Sequence, residues 1–527
     1  MFDYIKKFKF EIALLFLIAC GLFLNPYHFA VSDHTYKIPF LKAEYHSGLY
    51  AQDITVSMRH YYASYLGVLI RPIVKIFGFE VVFFIIFCIT QILFFLSVYL
   101  LATAIFREKT IGLMSVVLLW FPKKVLGGIA TFDPIVEERT LAAVLLLLGI
   151  YFLISNRRLW ASGLLALAAN IHSISFLNLG LFVAVAFSIK LFLERDKVRL
   201  VKATLPFCLL LFAGILPIVL RSTLGSLPRD PLAIVDPVWL RMILVRSSGH
   251  FSPPYAEFFS FLSQAVAGLP LLFFFQRAAE GNGRMGLILY GASVLTMVFG
   301  FTLGLVFVTQ CPILIGLQCL FFRASYMFVI LSPMVWAYLF YETVRKCGRT
   351  FYVIGGLLFI FGAVLIPMAQ HYHGRQIDNP FKPAMNENIA AQLWLKEHTE
   401  PQALLLTPPF PPSEFRIYSE RSTLGSWKDW TYNCMNREFA FSMYERLQDT
   451  AGISLNEPGR NCPASMRRYY GSLSENDLIR IANKYKIDYI VMEDKRARDL
   501  EKVYENKKYV IYRPVLKAAL LNTSISR

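Results

Sequence analysis

Two aspartates, Asp33 in Val-Ser-Asp-His-Thr-Tyr and Asp53 in Gly-Leu-Tyr-Ala-Gln-Asp-Ile, follow the first apolar run of the chain. A carboxylate held by hydrogen bonds at that place can act as a general base toward an acceptor hydroxyl or amine. Left unheld, it is an ordinary solvated loop acid. A second group gathers Asp133, Glu137, Glu138 and Arg139 where another apolar run begins. Ionisable groups at membrane depth are costly and tend to line polar cavities. Asp133 and Glu137, four apart, share a face if the segment is helical, and with waters they can hold a divalent cation such as Mg or Mn that neutralises a pyrophosphate leaving group. The plain alternative is an interfacial anchor.

His172 in Ala-Asn-Ile-His-Ser and Arg323 in Leu-Gln-Cys-Leu-Phe-Phe-Arg-Ala-Ser sit inside otherwise apolar sequence. A guanidinium suits bidentate recognition of phosphate oxygens, which makes Arg323 and Arg139 the first candidates for a phosphate, with His172 beside them. A lone histidine in such a place is more often a packing residue. Lys123, Lys124, Arg241 and Arg246 are further basic candidates, which can equally meet lipid headgroups.

The elements that would position these groups are membrane helices. The chain of 527 residues is 56% hydrophobic and 17% charged, with a mean hydropathy of +0.49, whereas soluble domains carry roughly 25% charged residues. Apolar runs such as Val81 to Phe106 and Ala203 to Leu220 match the ~20 residues needed to cross hydrocarbon. The first run, Glu11 to about Leu24, continues into Asn-Pro-Tyr-His without a cleavage pattern and reads as a retained first helix. About eleven spans are expected, the later ones over residues 80–105, 111–121, 140–155, two short helices within 160–193 meeting near His172, then 203–220, 256–275, 285–309, 324–343 and 351–369. Basic loops then fall on one side at every second turn, which places the N-terminus in the cytoplasm. The formal charge of +17 is spent largely on these loops, and no nucleic-acid partner is expected. Between the first two spans, residues 30–79 form a large first outer loop, in which Ile54 to Gly78 reads as an amphipathic helix lying in the interface.

The character changes after His373 to polar sequence with helix signals over Asn386 to Lys396 and strand-like runs at Ala403 to Thr407 and Tyr485 to Met492. The expected organisation is a transmembrane domain, residues 1–373, and a soluble extracytoplasmic α/β domain, residues 374–527. Most of the eight cysteines lie in or beside apolar runs and act as small buried hydrophobes. Cys434 and Cys462 fall in the polar segment and can pair there if it faces an oxidising compartment.

Together these features resemble the GT-C class of integral membrane glycosyltransferases, which includes oligosaccharyltransferases, protein mannosyltransferases and lipid A aminoarabinose transferases. The resemblance rests on the inside N-terminus, the large first loop with Asp33, the interfacial helix, the Asp133 to Arg139 acids, Phe-Phe-Arg323 and the C-terminal domain opening at Ala390-Ala-Gln-Leu-Trp-Leu-Lys-Glu-His. Tyr485-Lys-Ile-Asp-Tyr-Ile-Val491 is similar to a later stretch of the oligosaccharyltransferase soluble domain. The Trp-Trp-Asp acceptor motif of oligosaccharyltransferases is absent, only Trp427-Lys-Asp-Trp430 standing in that region, and the first loop lacks the adjacent Asp-Glu pair of protein mannosyltransferases. The resemblance implies inverting transfer of a sugar from a polyprenyl-phosphate donor to an extracytoplasmic glycan, lipid or protein acceptor at a bacterial inner membrane. Asp33 would be the base with Asp53 in reserve, and Arg323 would steady the donor phosphate.

Two other classes stay open at this point. A transporter or flippase for a lipid-linked substrate would show broken helices or paired repeats around a midplane site, and no repeat is visible. A non-catalytic membrane scaffold would keep its activity when Asp33 or Arg323 is replaced.

Overall fold

The computed structural model describes residues 8–62, 64–194, 196–225, 231–278, 284–347, 362, 385–410, 415–493 and 500–514. The chain divides into two compact units. The first comprises Met1–His28, Ala63–Gly225 and Gly249–Asp378, and the second Phe29–Tyr62, Ser226–Ser248 and Asn379–Arg527. The boundary expected at residues 373/374 lies outside the described residues. The two loop segments that join the C-terminal residues in the second unit are 350 or more positions away for the first loop and about 190 for the second, as in Gln52 with Gln402 and Trp239 with Asn433.

Six helices among the described residues are long and apolar enough to cross a bilayer: Leu66–Phe106, Ser173–Leu193, Leu200–Arg221, Ser248–Phe274, Met285–Gln310 and Leu314–Lys346. The other expected spans are shorter, at 16 residues for Lys9–Leu24, 10 for Lys109–Leu118, 17 for Glu138–Ile154 and 14 for Arg158–Ile171. The run 351–369 lies outside the described residues. The protein is therefore a membrane-embedded, mostly helical chain, without a count of eleven spans.

Local sequence accounts for the helix ends. Lys9–Leu24 buries Leu14, Ile18 and Gly21 on one stripe, and the missing side chain at Gly21 admits the Phe95 ring, which a Cβ would approach to 2.5 Å. Asn25 ends that helix by turning its amide onto the carbonyls of Gly21 and Trp120, each at 2.8 Å. The amphipathic helix begins at Leu66 rather than Ile54, because a short helix Ile54–Ser57 and a 3-10 turn Met58–Tyr61 occupy the earlier residues. It runs on into the next apolar helix through a kink at Gly78, where φ of 80° suits a residue without a Cβ.

The second unit is built on a five-stranded sheet in the order Ser422–Thr423, Leu404–Leu406, Tyr489–Met492, Val510–Arg513, Glu501–Glu505. The first two pairings are parallel and the last two antiparallel. Leu404–Leu406 and Tyr489–Met492 are buried at every position, as expected of parallel strands covered on both faces. The helix Glu387–His398, capped by Asn386, packs Ala391 and Leu395 with Leu405, Phe415, Val491, Tyr509 and Ile511. The helix Glu475–Tyr485 starts with a capping box of Ser474 and Asp477. This is the expected small α/β fold, enlarged by residues 29–62 and 226–248.

Candidate functional site

Asp33 and Asp53 both lie in the second unit, in very different surroundings. Asp53 caps the short helix Ile54–Ser57 by accepting from Thr55 N at 2.9 Å and Val56 N at 3.1 Å. Its other oxygen takes Arg416 Nε at 2.5 Å and Thr423 N at 2.9 Å, and the side chain has no exposed surface. Arg416 continues to Asp429, to whose two oxygens its Nη1 donates at 2.8 and 2.9 Å. Burial pushes the Arg416 guanidinium down, but the charges of Asp429 and Asp53 outweigh that and raise it. A carboxylate so saturated serves as a brace and has no lone pair left to take up a substrate proton.

Asp33 keeps 17% of its side-chain surface exposed and makes an ion pair with Lys428, Oδ1 to Nζ 2.5 Å. It occupies the N-cap position of the helix His34–Tyr45 without capping it. Tyr36 of that helix meets Tyr432 edge-on at 5.0 Å between ring centres, and Lys428 stands 5.9 Å over the Tyr36 ring. Arg246, at the end of the helix Pro237–Arg246, donates from Nε to the Trp427 carbonyl at 2.6 Å and from Nη2 to that of Lys428 at 3.2 Å, and it stacks on the Trp427 ring. Burial pushes its guanidinium down to about 10, with the charges of Tyr36, Asp33 and Asp429 opposing, so it stays protonated at neutral pH.

The phosphate candidates lie in the first unit. Residues 124–130 form a hairpin, Lys124–Val125 against Ile129–Ala130, turned by Gly127 and Gly128 at φ of 78° and 70°. Three bonds pin it. Leu126 N donates to Ser325 Oγ at 3.1 Å, Tyr326 OH donates to the Thr131 carbonyl at 2.6 Å, and Lys123 N donates to Thr131 Oγ1 at 3.0 Å. Arg323, on the 3-10 turn Phe321–Ser325, runs beside Gly127, where a Cβ would stand 3.2 Å from its Cγ. His250 Nδ1 is 2.8 Å from the Gly127 carbonyl, which can only accept, so Nδ1 carries the hydrogen. The approach of Arg323 Nη2 to the same nitrogen, at 3.5 Å, is then a contact between two donors.

The remaining candidates are arranged otherwise than expected. Asp133 and Glu137 do not share a helix face, because the helix Glu138–Ile154 starts only after them, with Glu137 extended at φ −126°. Asp133 is held by Arg139 through Nε at 3.1 Å and Nη2 at 2.8 Å, with Thr140 Oγ1 at 3.3 Å. Asp133 is thus already charge-paired, and among the described residues no three His, Cys, Asp or Glu side chains gather as a group that could hold a metal ion. Arg139 likewise commits its fork to Asp133, which a phosphate would have to displace. His172 sits at the break between Arg158–Ile171 and Ser173–Leu193, where its Nδ1 accepts Ser175 N at 3.1 Å and caps the second helix. The pairing of Cys434 with Cys462 is not made. Both are free thiols, Cys434 buried near the Thr431 carbonyl and Cys462 exposed beside Ser465 Oγ.

A family model described as a domain of unknown function, DUF6798, matches residues 386–436. That stretch holds Arg416, Lys428 and Asp429, the second unit's own contribution to the Asp33 and Asp53 contacts. No curated protein matches the chain. Sequence reasoning passed over Arg416, Lys428 and His250. For Lys428 a signal was present, since Trp427-Lys-Asp-Trp430 places a cation between two aromatics in a polar segment.

Proposed function

We propose that the protein is a membrane glycosyltransferase that moves a sugar from a polyprenyl-phosphate donor to an extracytoplasmic acceptor with inversion. In this reading eleven spans carry a cytoplasmic N-terminus and an extracytoplasmic second unit in a bacterial inner membrane. Asp33 takes the proton from the acceptor hydroxyl or amine as the sugar carbon is attacked, and the polyprenyl phosphate leaves. Arg323 meets the developing phosphate charge with its guanidinium. The lipid tail of such a donor rests in the bilayer while its phosphate meets basic groups at the interface.

The observation that carries the reading is the contrast between the two aspartates of one loop. Asp53 is fully enclosed and spent, whereas Asp33 is accessible, passes over its cap and faces a cation. The test is release of polyprenyl phosphate by purified full-length protein from a panel of polyprenyl-phosphate sugars. Native protein should release it from at least one donor, and Asp33→Asn and Arg323→Ala should each lower turnover by a hundredfold or more, roughly what removal of a general base or of a charge-stabilising donor costs. Equal turnover in Asp33→Asn and native protein removes the base.

A further inference from the structure

An aspartate at the N-cap position ordinarily accepts a backbone N–H of the first turn, a bond worth about 1 kcal/mol. Asp236 and Asp53 do so in this unit, and Asp33 does not. Its carboxylate turns to Lys428, 395 residues onward, at 2.5 Å. Lys428 is not on a loose loop. On one side Arg246 holds the carbonyls of Trp427 and Lys428. On the other, Asp429 accepts from Ser426 N at 2.7 Å and Ser426 Oγ at 2.8 Å while binding Arg416, which is itself tied to Asp53. Two buried or partly buried arginines thus clamp one four-residue turn, and the side chain that the turn presents is the partner of Asp33. An isolated ion pair at the surface contributes little to stability, so the clamp is more than the pair needs as a fastener. It suits a group whose position matters to about half an ångström.

We propose that Lys428 is the positioning residue for Asp33, with Arg246 and Arg416 holding the turn that carries it. The proposal rests on Asp33 being the base of the transfer. It gives the second unit a part in the chemistry. The amine holds Oδ1 at 2.5 Å and so sets where the carboxylate stands, and the cation makes its ionised form cheaper than its protonated one. Arg246 also bears on this carboxylate, since it senses Asp33 together with Tyr36 and Asp429. Lys428 sets a positive charge 2.5 Å from the carboxylate, so its loss makes Asp33 easier to protonate.

The experiment compares native protein with Lys428→Met and Lys428→Arg, each full-length in detergent micelles. For turnover, kcat/KM in Lys428→Met should fall between about tenfold and a hundredfold, as for a displaced reacting group. The acid limb of its pH profile should move to higher pH, and Lys428→Arg should restore most of both. Native kcat/KM and an unmoved acid limb in Lys428→Met overturn the proposal. A readout independent of turnover separates it from the enzyme reading. The infrared carboxylate band of Asp33, isolated as native minus Asp33→Asn, is titrated in the Lys428 variants. A band that titrates at the same pH with and without Lys428 overturns the pairing, whereas a shifted band in a protein that releases no lipid phosphate supports the pairing and overturns only the glycosyltransferase reading.

Discussion

Arg416 Nε lies 2.5 Å from Asp53 Oδ2, a buried ion pair between residues 363 positions apart, and the same guanidinium grips Asp429 with its far edge. The Arg416 and Asp53 side chains are only 6% and 0% exposed. Removing one partner of such a pair leaves the other charged and unsolvated, at a cost of about 3–5 kcal/mol. Asp53→Asn and Arg416→Met are therefore expected to lower the melting temperature of the protein and to open residues 415–434 to protease. The two candidate bases then separate cleanly, because Asp33→Asn should lose turnover with its melting temperature unchanged. A native melting curve for Asp53→Asn would mean that the brace carries no load.

Acid should loosen the same unit at another point. Burial pushes the Glu420 carboxyl up, but Lys42 and then Lys396 outweigh it and hold it below its ordinary value. A carboxyl whose folded value is depressed contributes stability above its unfolded value of about 4.3, and that contribution is lost as pH falls through the folded value. Glu420 is partly open to solvent, so the gain is about 1 kcal/mol or less. Glu420→Gln should melt slightly below native protein at pH 7, and the gap should close as pH falls below the unfolded value and through the lower folded one. A gap that does not narrow at all as the pH is lowered through the acid range would assign the effect to packing instead of charge.

The sequence was most legible where hydrocarbon sets the rules. The break near His172 and the helices on either side of it follow from apolar run length. The helix starts at Leu66 and Glu138 were less so, because the apolar spacing of Ile54 to Gly78 continues through a stretch that the short helix Ile54–Ser57 and the 3-10 turn Met58–Tyr61 break up, and nothing in Asp133 to Glu137 shows that Glu137 is extended. The partners of Asp33 and Asp53 were illegible for a different reason. Lys428 and Arg416 reach them across more than 360 residues, and a single sequence gives no signal for a pairing made only in the folded unit. The membership of residues 29–62 in the second unit was missed on the same ground.

The hairpin beside Arg323 offers a test by size alone. Gly128 has φ of 70°, and a Cβ there would stand 2.5 Å from the Gly249 carbonyl oxygen and 2.9 Å from His250 Nδ1. The left-handed backbone costs an alanine about 1–2 kcal/mol, and the carbonyl cannot rotate away as a side chain can. Gly127→Ala carries the same backbone cost, but its nearest neighbour is the Arg323 side chain at 3.2 Å. Gly128→Ala should thus lower the melting temperature more than Gly127→Ala and should weaken donor use by shifting His250 against Arg323, whose Nη2 stands 3.5 Å from it. Equal melting of the two variants would show that backbone conformation, and not the contact with Gly249, decides the cost.

His172 separates a cap from a ligand. Its Nδ1 accepts Ser175 N at 3.1 Å at the start of Ser173–Leu193, the bond that asparagine makes equally well from the same position. If capping is its work, His172→Asn keeps native stability, His172→Ala loses about 1 kcal/mol, and neither changes the KM for a polyprenyl-phosphate donor. If the imidazole instead meets the donor phosphate, both variants raise that KM together, as Arg323→Ala should. Melting curves and donor titrations on the three variants decide it, since a cap tolerates asparagine and a phosphate ligand does not.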